Sequence, residues 1–317
     1  MTEANKTYDI IIVGTGMAGL ASAIYAKRFG METLVIGELQ GGTITQTHLV
    51  ENYPGYKSIS GFELGMKFIE HAASVESEIK STKVTNITHT KAGIFEVETA
   101  KGEKLLTYSV LLATGLAHRK LGVPGEAKYT NKGVSYCATC DGPLFRGKKV
   151  IVVGGGDSAF KESLFLAEHA EHVTIMYRRG EENLRPEPIN AQRVEAHPKI
   201  DLMLNTVIKE IKGDENVITE LLIEDALTSE TSTFEAQGVF VEIGGEARSA
   251  LGIDLGCNLD GRKQIIIDRY SRSSVPGVFA AGDVTDSEWK QGVICAAEGA
   301  AAAYAAYGYV NKKKLEN

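Results

Sequence analysis

Tyr8-Asp-Ile-Ile-Ile-Val13-Gly14-Thr-Gly16-Met17-Ala18-Gly19 and Lys149-Val-Ile-Val-Val153-Gly154-Gly-Gly156-Asp157-Ser158-Ala159 follow one plan, and that repetition decides the fold. Each opens with an unbroken apolar run, the pattern of a strand buried on both faces of a parallel sheet. Each then turns through glycines into a helix, expected to run to about Phe29 in the first copy and about Ala170 in the second. A further strand follows, Thr33 to Ile36 or His172 to Tyr177. Gly14 or Gly154 permits the tight turn, Gly16 or Gly156 lets backbone approach a pyrophosphate, and Gly19 or Ala159 lets helix and strand pack closely. Amides at the helix start, at Met17 and Ala18 or Asp157 and Ser158, face the phosphate charge. One such motif alone is as readily an ordinary turn. Two, each between strand and helix, predict an α/β chain with two Rossmann-like dinucleotide-binding domains.

The residue after the second strand of each unit selects the nucleotide, because an acid there accepts from a ribose hydroxyl whereas arginines suit a 2′-phosphate. The spacing from Gly14 to Glu38 equals that from Gly154 to Arg178. Glu38 therefore predicts a free ribose diol, as in FAD or NAD. Arg178 and Arg179, with Arg185 nearby, favour NADP, the alternative being a solvated charge run balanced by Glu181, Glu182 and Glu187. Farther out, Phe62 to Ser74 reads as a helix, and Ile94 to Glu98 and Leu105 to Leu112 as strands. Val110-Leu-Leu-Ala-Thr-Gly115 and Val275-Pro-Gly-Val-Phe-Ala-Ala-Gly-Asp283 are apolar strands that end on glycine, where backbone can approach a ligand or simply turn.

With 34 Lys and Arg against 41 Asp and Glu, the 317-residue chain carries a net charge of −7, so no whole-chain basic field attracts nucleic acid or an anionic membrane. At roughly 150 residues per domain, the length accommodates about two domains. The polar N-terminus passes straight into a strand without the pattern of a secretory signal. No uninterrupted apolar stretch reaches the ~18 residues of a membrane helix; Ala296 to Val310, broken by Glu298, Gly299 and Gly308, reads as a buried helix. A cytoplasmic location is expected.

Four cysteines are too few for a secreted disulfide framework. Cys137-Ala-Thr-Cys140 lies just ahead of the second repeat. A zinc site would need two more ligands, which neither Cys257, Cys295 nor any His pair supplies at suitable spacing, so no metal is expected. An inert buried pair would sit oddly beside Tyr136, Thr139 and Asp141. A reversible dithiol suits the residues better, since two intervening residues allow ring closure and an ionisable neighbour tunes a thiolate. Cys257 and Cys295 read as small buried hydrophobes. Trp289 reads as cover for a cofactor edge or as a partner contact.

The stretches Gly14 to Gly19, Gly41-Gly42, Val50-Glu-Asn52-Tyr-Pro-Gly55, Ala113-Thr114-Gly115, Cys137-Ala-Thr-Cys140-Asp141-Gly142, Gly154 to Ala159, Arg178-Arg179 and Val275 to Asp283 come in the order found in the low-molecular-weight thioredoxin reductases. The chain resembles that family over nearly its whole length. The resemblance implies three-layer ββα domains, the second inserted in the first: a discontinuous FAD-binding domain over 1–116 and 245–317 and an NADP-binding domain over 117–244. Glycines at 115, 244 and 245 would serve as hinges for the domain rotation such enzymes use. Carried over residue by residue, the FAD contacts include Gly14, Gly16, Gly19, Gly41, Gly42, Asn52, Thr114, Gly115, Gly282, Asp283 and the run Lys290-Gln291-Gly292-Val293. NADPH is the implied donor. By similarity Cys140 faces the flavin, Asp141 handles the proton, and Cys137 attacks the disulfide of thioredoxin or of a thioredoxin-like or glutaredoxin-like protein. A homodimer is implied.

Two departures fall in the nucleotide domain. The family's His-Arg-Arg, three residues and Arg becomes Tyr177-Arg178-Arg179 with a two-residue insertion before Arg185, and Lys161 stands where Glu is common. Some relatives draw electrons from ferredoxin or a deazaflavin, so those donors stand beside NADPH. A ferredoxin–NADP reductase-like enzyme would not need the cysteine pair, and a nucleotide-binding redox sensor would turn over no substrate. Peroxiredoxin-reducing flavoproteins carry an N-terminal thioredoxin-like module, for which a first strand at Tyr8 leaves no room.

Overall fold

Each repeat forms a parallel β-α-β unit, one in each of the two units into which the chain divides, Met1–Ala117 with Glu246–Asn317 and His118–Gly245. The structure, a computed structural model, describes residues 6–91 and 93–316. In the first unit the strands Glu78–Lys80, Thr33–Ile36, Thr7–Val13, Lys104–Leu112, Phe95–Thr99 and Val84–His89 lie in that order, with Val278–Ala280 also paired to Lys104–Leu112. Successive side chains alternate faces. Ile10 and Ile12 thus pack beneath the helices Met17–Arg28 and Gly292–Glu316, while Ile11 and Val13 meet Phe95, Val97 and Val110 on the other side.

The helix Gly292–Glu316 is long and apolar enough, by length and composition, to cross a membrane. Here it packs as the core helix of a folded unit: Ala302, Ala303, Ala305 and Ala306 enter the core, and Gly299 lies so close to Ala18 that a Cβ would stand 2.1 Å from its carbonyl oxygen. It is not buried all round, as its apolar sequence suggested. Tyr304 is exposed, because a helix laid on one face of a sheet buries only a stripe.

In the second unit Ile200–Met203, His172–Met176, Lys149–Val153, Gly238–Val241 and Val134–Ser135 form a parallel sheet in that order. Val150, Val152, Val173, Ile175 and Phe240 pack on the helix layer containing Asp157–Ala167 and Pro188–Glu195. Ile151, Met176, Val239 and Val241 pack on an antiparallel sheet of Thr206–Gly213, Ile218–Asp225 and Thr231–Glu235. The order of layers is ββα. The helix stops at Ala167, short of Ala170, because the chain tightens there, Glu168 N donating to Phe165 O at 3.2 Å.

The two repeats also match in hydrogen bonding. Gly14 N donates to Ile36 O at 2.7 Å and Gly154 N to Met176 O at 3.1 Å; Ala113 N donates to Val13 O and Glu242 N to Val153 O, both at 2.8 Å. Ala113 and Glu242 therefore occupy equivalent places. Each unit is also closed where the chain crosses between them: Arg248 N donates to Gly115 O in the first and Arg119 N to Gly244 O in the second, each at 3.0 Å.

Candidate dinucleotide sites and redox disulfide

In the first unit Gly14 takes φ +126°, and a Cβ there would lie 2.1 Å from Ala113 O. Gly16 instead opens outward, with its nearest neighbour, Gly42 Cα, 3.7 Å from a built Cβ. The helix Met17–Arg28 begins with no side-chain cap and no acid in its first turn, leaving its first amides for an anionic ligand. Thr15 Oγ1 donates to Leu39 O at 2.7 Å and draws the loop bearing exposed Glu38 to the glycine turn. Distant segments converge on the same helix start. A Cβ on Gly282 would lie 3.0 Å from Ala18 Cβ, and one on Gly292 2.9 Å from Met17 Sδ. Asn52 Nδ2 donates to Gln291 Oε1 at 3.2 Å, and Thr114 Oγ1 to Arg248 O at 2.7 Å. Lys290 donates to the Thr285 carbonyl, and Val293 begins the long helix behind Gly292.

Two residues here were misjudged or missed from sequence. Cys295 is half-buried, and its thiol donates to Asp283 Oδ1 at 3.3 Å; burial first, then the Asp283 charge, pushes it well above the usual thiol range. Glu298, which read only as an interruption of an apolar run, accepts from Gly282 N at 2.7 Å and Thr285 Oγ1 at 3.2 Å and so fixes the Gly282–Asp283 turn. Cys257 is buried, and Trp289 is 65% exposed.

In the second unit a Cβ on Gly154 would lie 2.3 Å from Glu242 O, whereas one on Gly156 would meet nothing within 4 Å. The helix Asp157–Ala167 also starts without a side-chain cap. Asp157 accepts from Glu187 N and Asn190 Nδ2, both at 2.8 Å, and pairs with Lys161 Nζ at 2.9 Å. Burial pushes this carboxyl up, but the hydrogen bonds and Lys161 outweigh it and hold it below its ordinary value. Arg178, Arg179 and Arg185 are exposed, and none pairs with a carboxylate among the described residues. The longer loop turns through Glu181–Asn183 and returns Arg185 to the glycines, its N–H donating to Gly155 O at 2.8 Å.

Cys137 and Cys140 are joined by a disulfide, with Cα atoms 5.3 Å apart, at the short helix Ala138–Asp141. Both sulfurs are thereby committed to each other. Cys140 N donates to Cys137 Sγ at 3.2 Å, and Cys137 N to Ser135 Oγ at 3.1 Å. Cys140 is the exposed member and Cys137 is half-buried. Asp141 lines a pocket of about 200 Å³ with Ser135, Leu144 and Lys148.

Residues 8–303 match the pyridine nucleotide-disulphide oxidoreductase family. The chain is 40% identical over 306 residues to the thioredoxin reductase of Treponema pallidum, covering 96% of this chain and 97% of that protein. It is 37% identical to that of Bacillus subtilis, covering 97% and 96%. The solved thioredoxin reductase of Lactococcus lactis matches with a TM-score of 0.93 at 38% identity, over 96% of this chain and all of that one. The chain belongs to the thioredoxin reductases.

Proteins of this family work with a flavin and a pyridine nucleotide, and the residues present fit both. Open middle glycines and uncapped helix starts suit pyrophosphate, and exposed Glu38 follows the second strand of the first repeat, beside the glycine turn.

A carboxyl pair that sequence reasoning passed over lies beneath the disulfide of this thioredoxin reductase. Glu162 Oε2 accepts from Ala138 N at 3.2 Å, and Glu162 is hydrogen-bonded to Glu242. Burial pushes Glu162 up to about 7, against the lowering effect of its hydrogen bonds; burial and then the Glu162 charge push Glu242 up to about 10. The folded chain thus keeps protons that the unfolded chain releases near 4.5, so stability falls as pH rises from 4.5 toward 10. Glu242→Gln, neutral throughout, is expected to flatten the fall in thermal midpoint between pH 7 and 10 by several degrees. An unchanged slope would place the titration elsewhere.

Proposed function

We propose that the protein is an NADPH-dependent thioredoxin reductase with FAD held by the first unit and NADPH by the second. The Cys137–Cys140 pair passes electrons to the disulfide of thioredoxin or of a thioredoxin-like or glutaredoxin-like protein. The joint presence of a bonded Cys-x-x-Cys pair and two open glycine cradles in one chain carries this reading. The flavin, when bound, supplies the two-electron chemistry that links a hydride donor to a disulfide.

Gly14, Gly16, Gly19 and the Met17 and Ala18 amides would hold the first pyrophosphate, and Glu38 the ribose. Gly41, Gly42, Asn52, Thr114, Gly115, Gly282, Asp283, Lys290, Gln291, Gly292 and Val293 would enclose the rest. Gly154, Gly156, Asp157, Ser158 and Ala159 would form the second cradle, with Arg178, Arg179 and Arg185 on the 2′-phosphate. Opening the disulfide takes two electrons and two protons, and Asp141 moves a proton. Cys137 as thiolate then attacks the partner's disulfide, and Cys140 resolves the mixed disulfide, leaving the partner reduced. A homodimer belongs to the same reading; Tyr25, Tyr304 and Tyr307 around Phe29 offer a second copy an exposed aromatic surface.

Anaerobic mixing of the flavin-loaded protein with NADPH, NADH, reduced ferredoxin and reduced deazaflavin in turn tests the donor. NADPH is expected to bleach the flavin, and absence of bleaching would overturn its assignment. Each guanidinium–phosphate bond contributes about 1.5–3 kcal/mol. Arg178→Ala or Arg179→Ala is therefore expected to raise the half-saturating NADPH concentration about 10–100-fold and to leave the response to NADH unchanged.

A further inference from the structure

The two repeats diverge in chemistry where their backbones agree. The first unit places Ala113 at its strand end and Ser22 on its nucleotide helix; at the equivalent positions the second places Glu242 and Glu162. Alanine and serine show that packing at these positions needs no charge, and burying acids is costly. Glu242 Oε1 is sealed from solvent with no hydrogen-bond partner, although Glu242 is bonded to Glu162. Glu162 in turn accepts the N–H of Ala138, the residue after Cys137, at 3.2 Å. Two carboxyl groups in hydrogen-bond contact share a proton, and between their two titrations the pair carries one negative charge.

Resting on the reading of Cys137–Cys140 as the working dithiol, we propose that Glu162 and Glu242 are positioning residues for it. The single charge of the pair, carried on Glu162 and bonded to the Ala138 amide, keeps the Cys137 thiol less acidic and the dithiol more reducing than the motif alone would make it. A like charge disfavours the thiolate. The reduced form then gains less from ionisation, so the disulfide resists reduction and the dithiol gives up its electrons more readily. Nearby polar groups leave this pairing intact: Lys161 is engaged by Asp157, His172 by Asp201 and Lys149 by Glu235. Asp141, Arg193 and Glu195, on elements packed against the Glu162 helix, add no interaction with it; Glu242 and the Ala138 amide do.

The test uses the full-length flavin-loaded protein and its Glu162→Gln and Glu242→Gln variants. Dithiothreitol reduces the disulfide, its two thiols being oxidised to a cyclic disulfide as the Cys137–Cys140 bond opens and two protons are taken up. Iodoacetamide labelling of Cys137 across pH, read by peptide mass, gives the thiol midpoint, and equilibration against dithiothreitol buffers gives the potential. Glu162→Gln keeps an acceptor for Ala138 N but removes the charge. It is expected to lower the Cys137 midpoint by about one pH unit, a tenfold gain in thiolate. It should also raise the potential by about 30 mV above both midpoints, with convergence at low pH. Glu242→Gln imitates the protonated acid and is expected to match the wild type in both measurements.

An unshifted midpoint in Glu162→Gln, or an equal shift in Glu242→Gln, overturns the proposal. If Glu162→Gln does not fold, Glu242→Ala replaces it: without its hydrogen-bond donor Glu162 holds a proton more readily, so the midpoint falls in the same direction by less, and an unmoved midpoint is contrary. Neither measurement uses thioredoxin or a nicotinamide, so its failure is distinct from failure of the functional reading.

Discussion

Cys140→Ser is expected to lower thioredoxin reduction at least about a thousandfold, while NADPH still bleaches the flavin. The serine variant keeps both glycine turns proposed to hold the nucleotides, which lie on other segments of the chain, but has no disulfide to accept electrons. The same variant decides which sulfur meets the partner. If Cys137 is the attacking thiol, Cys140→Ser traps a stable mixed disulfide with thioredoxin and Cys137→Ser does not. Exposure alone would favour the opposite, since Cys140 is the exposed member of the oxidised pair. Trapping by Cys137→Ser would therefore exchange the two roles, and undiminished turnover in Cys140→Ser would refute the enzyme assignment.

Gly14→Ala is expected to yield colourless protein. Its φ of +126° disfavours any side chain, and the new Cβ would stand 2.1 Å from Ala113 O, on a backbone fixed by the Ala113 N to Val13 O bond. Neither the turn nor the strand can yield without breaking ladder bonds, so a loss of about 3 kcal/mol or more is expected. Gly16→Ala separates folding from binding. With 3.7 Å to its nearest neighbour it is expected to keep its thermal midpoint while losing flavin through obstruction of the cradle. Flavin absorbance per chain and thermal melting check both variants; a yellow Gly14→Ala protein with an unchanged midpoint would sink the argument.

What could be read from sequence was what is local. Ile10 to Val13 and Val150 to Val152 are buried because consecutive apolar residues leave neither sheet face for water, and the glycine turns announce themselves by composition. The cysteine pair announces itself by its spacing. Glu162, Glu242 and Glu298 were illegible because their meaning depends on partners distant in sequence: Ala138 and Glu242 for Glu162, and Gly282 and Thr285 for Glu298. Overlaying the two glycine repeats sets Glu162 on Ser22, an acid where a small hydroxyl suffices, whereas Glu242 matches Ala113 only through the strand-end hydrogen bonds. Cys295 was misjudged for a related reason, since an Ala-rich neighbourhood reads as apolar until the strand end brings Asp283 against it.

The paired crossings have a consequence for how the molecule can be divided. Arg119 N and Gly244 O meet at 3.0 Å inside one unit, and Arg248 N and Gly115 O at the same distance inside the other. Chain entry and exit therefore lie side by side at both borders, as in a cassette spliced into a host. Excising 118–245 and bridging the gap with a few glycines would close a short loop at small entropic cost. On the proposed function, the remainder would still hold every segment assigned to the flavin, and the excised piece would carry its own dithiol and glycine turn, so each half of the electron path could be titrated in a separate tube.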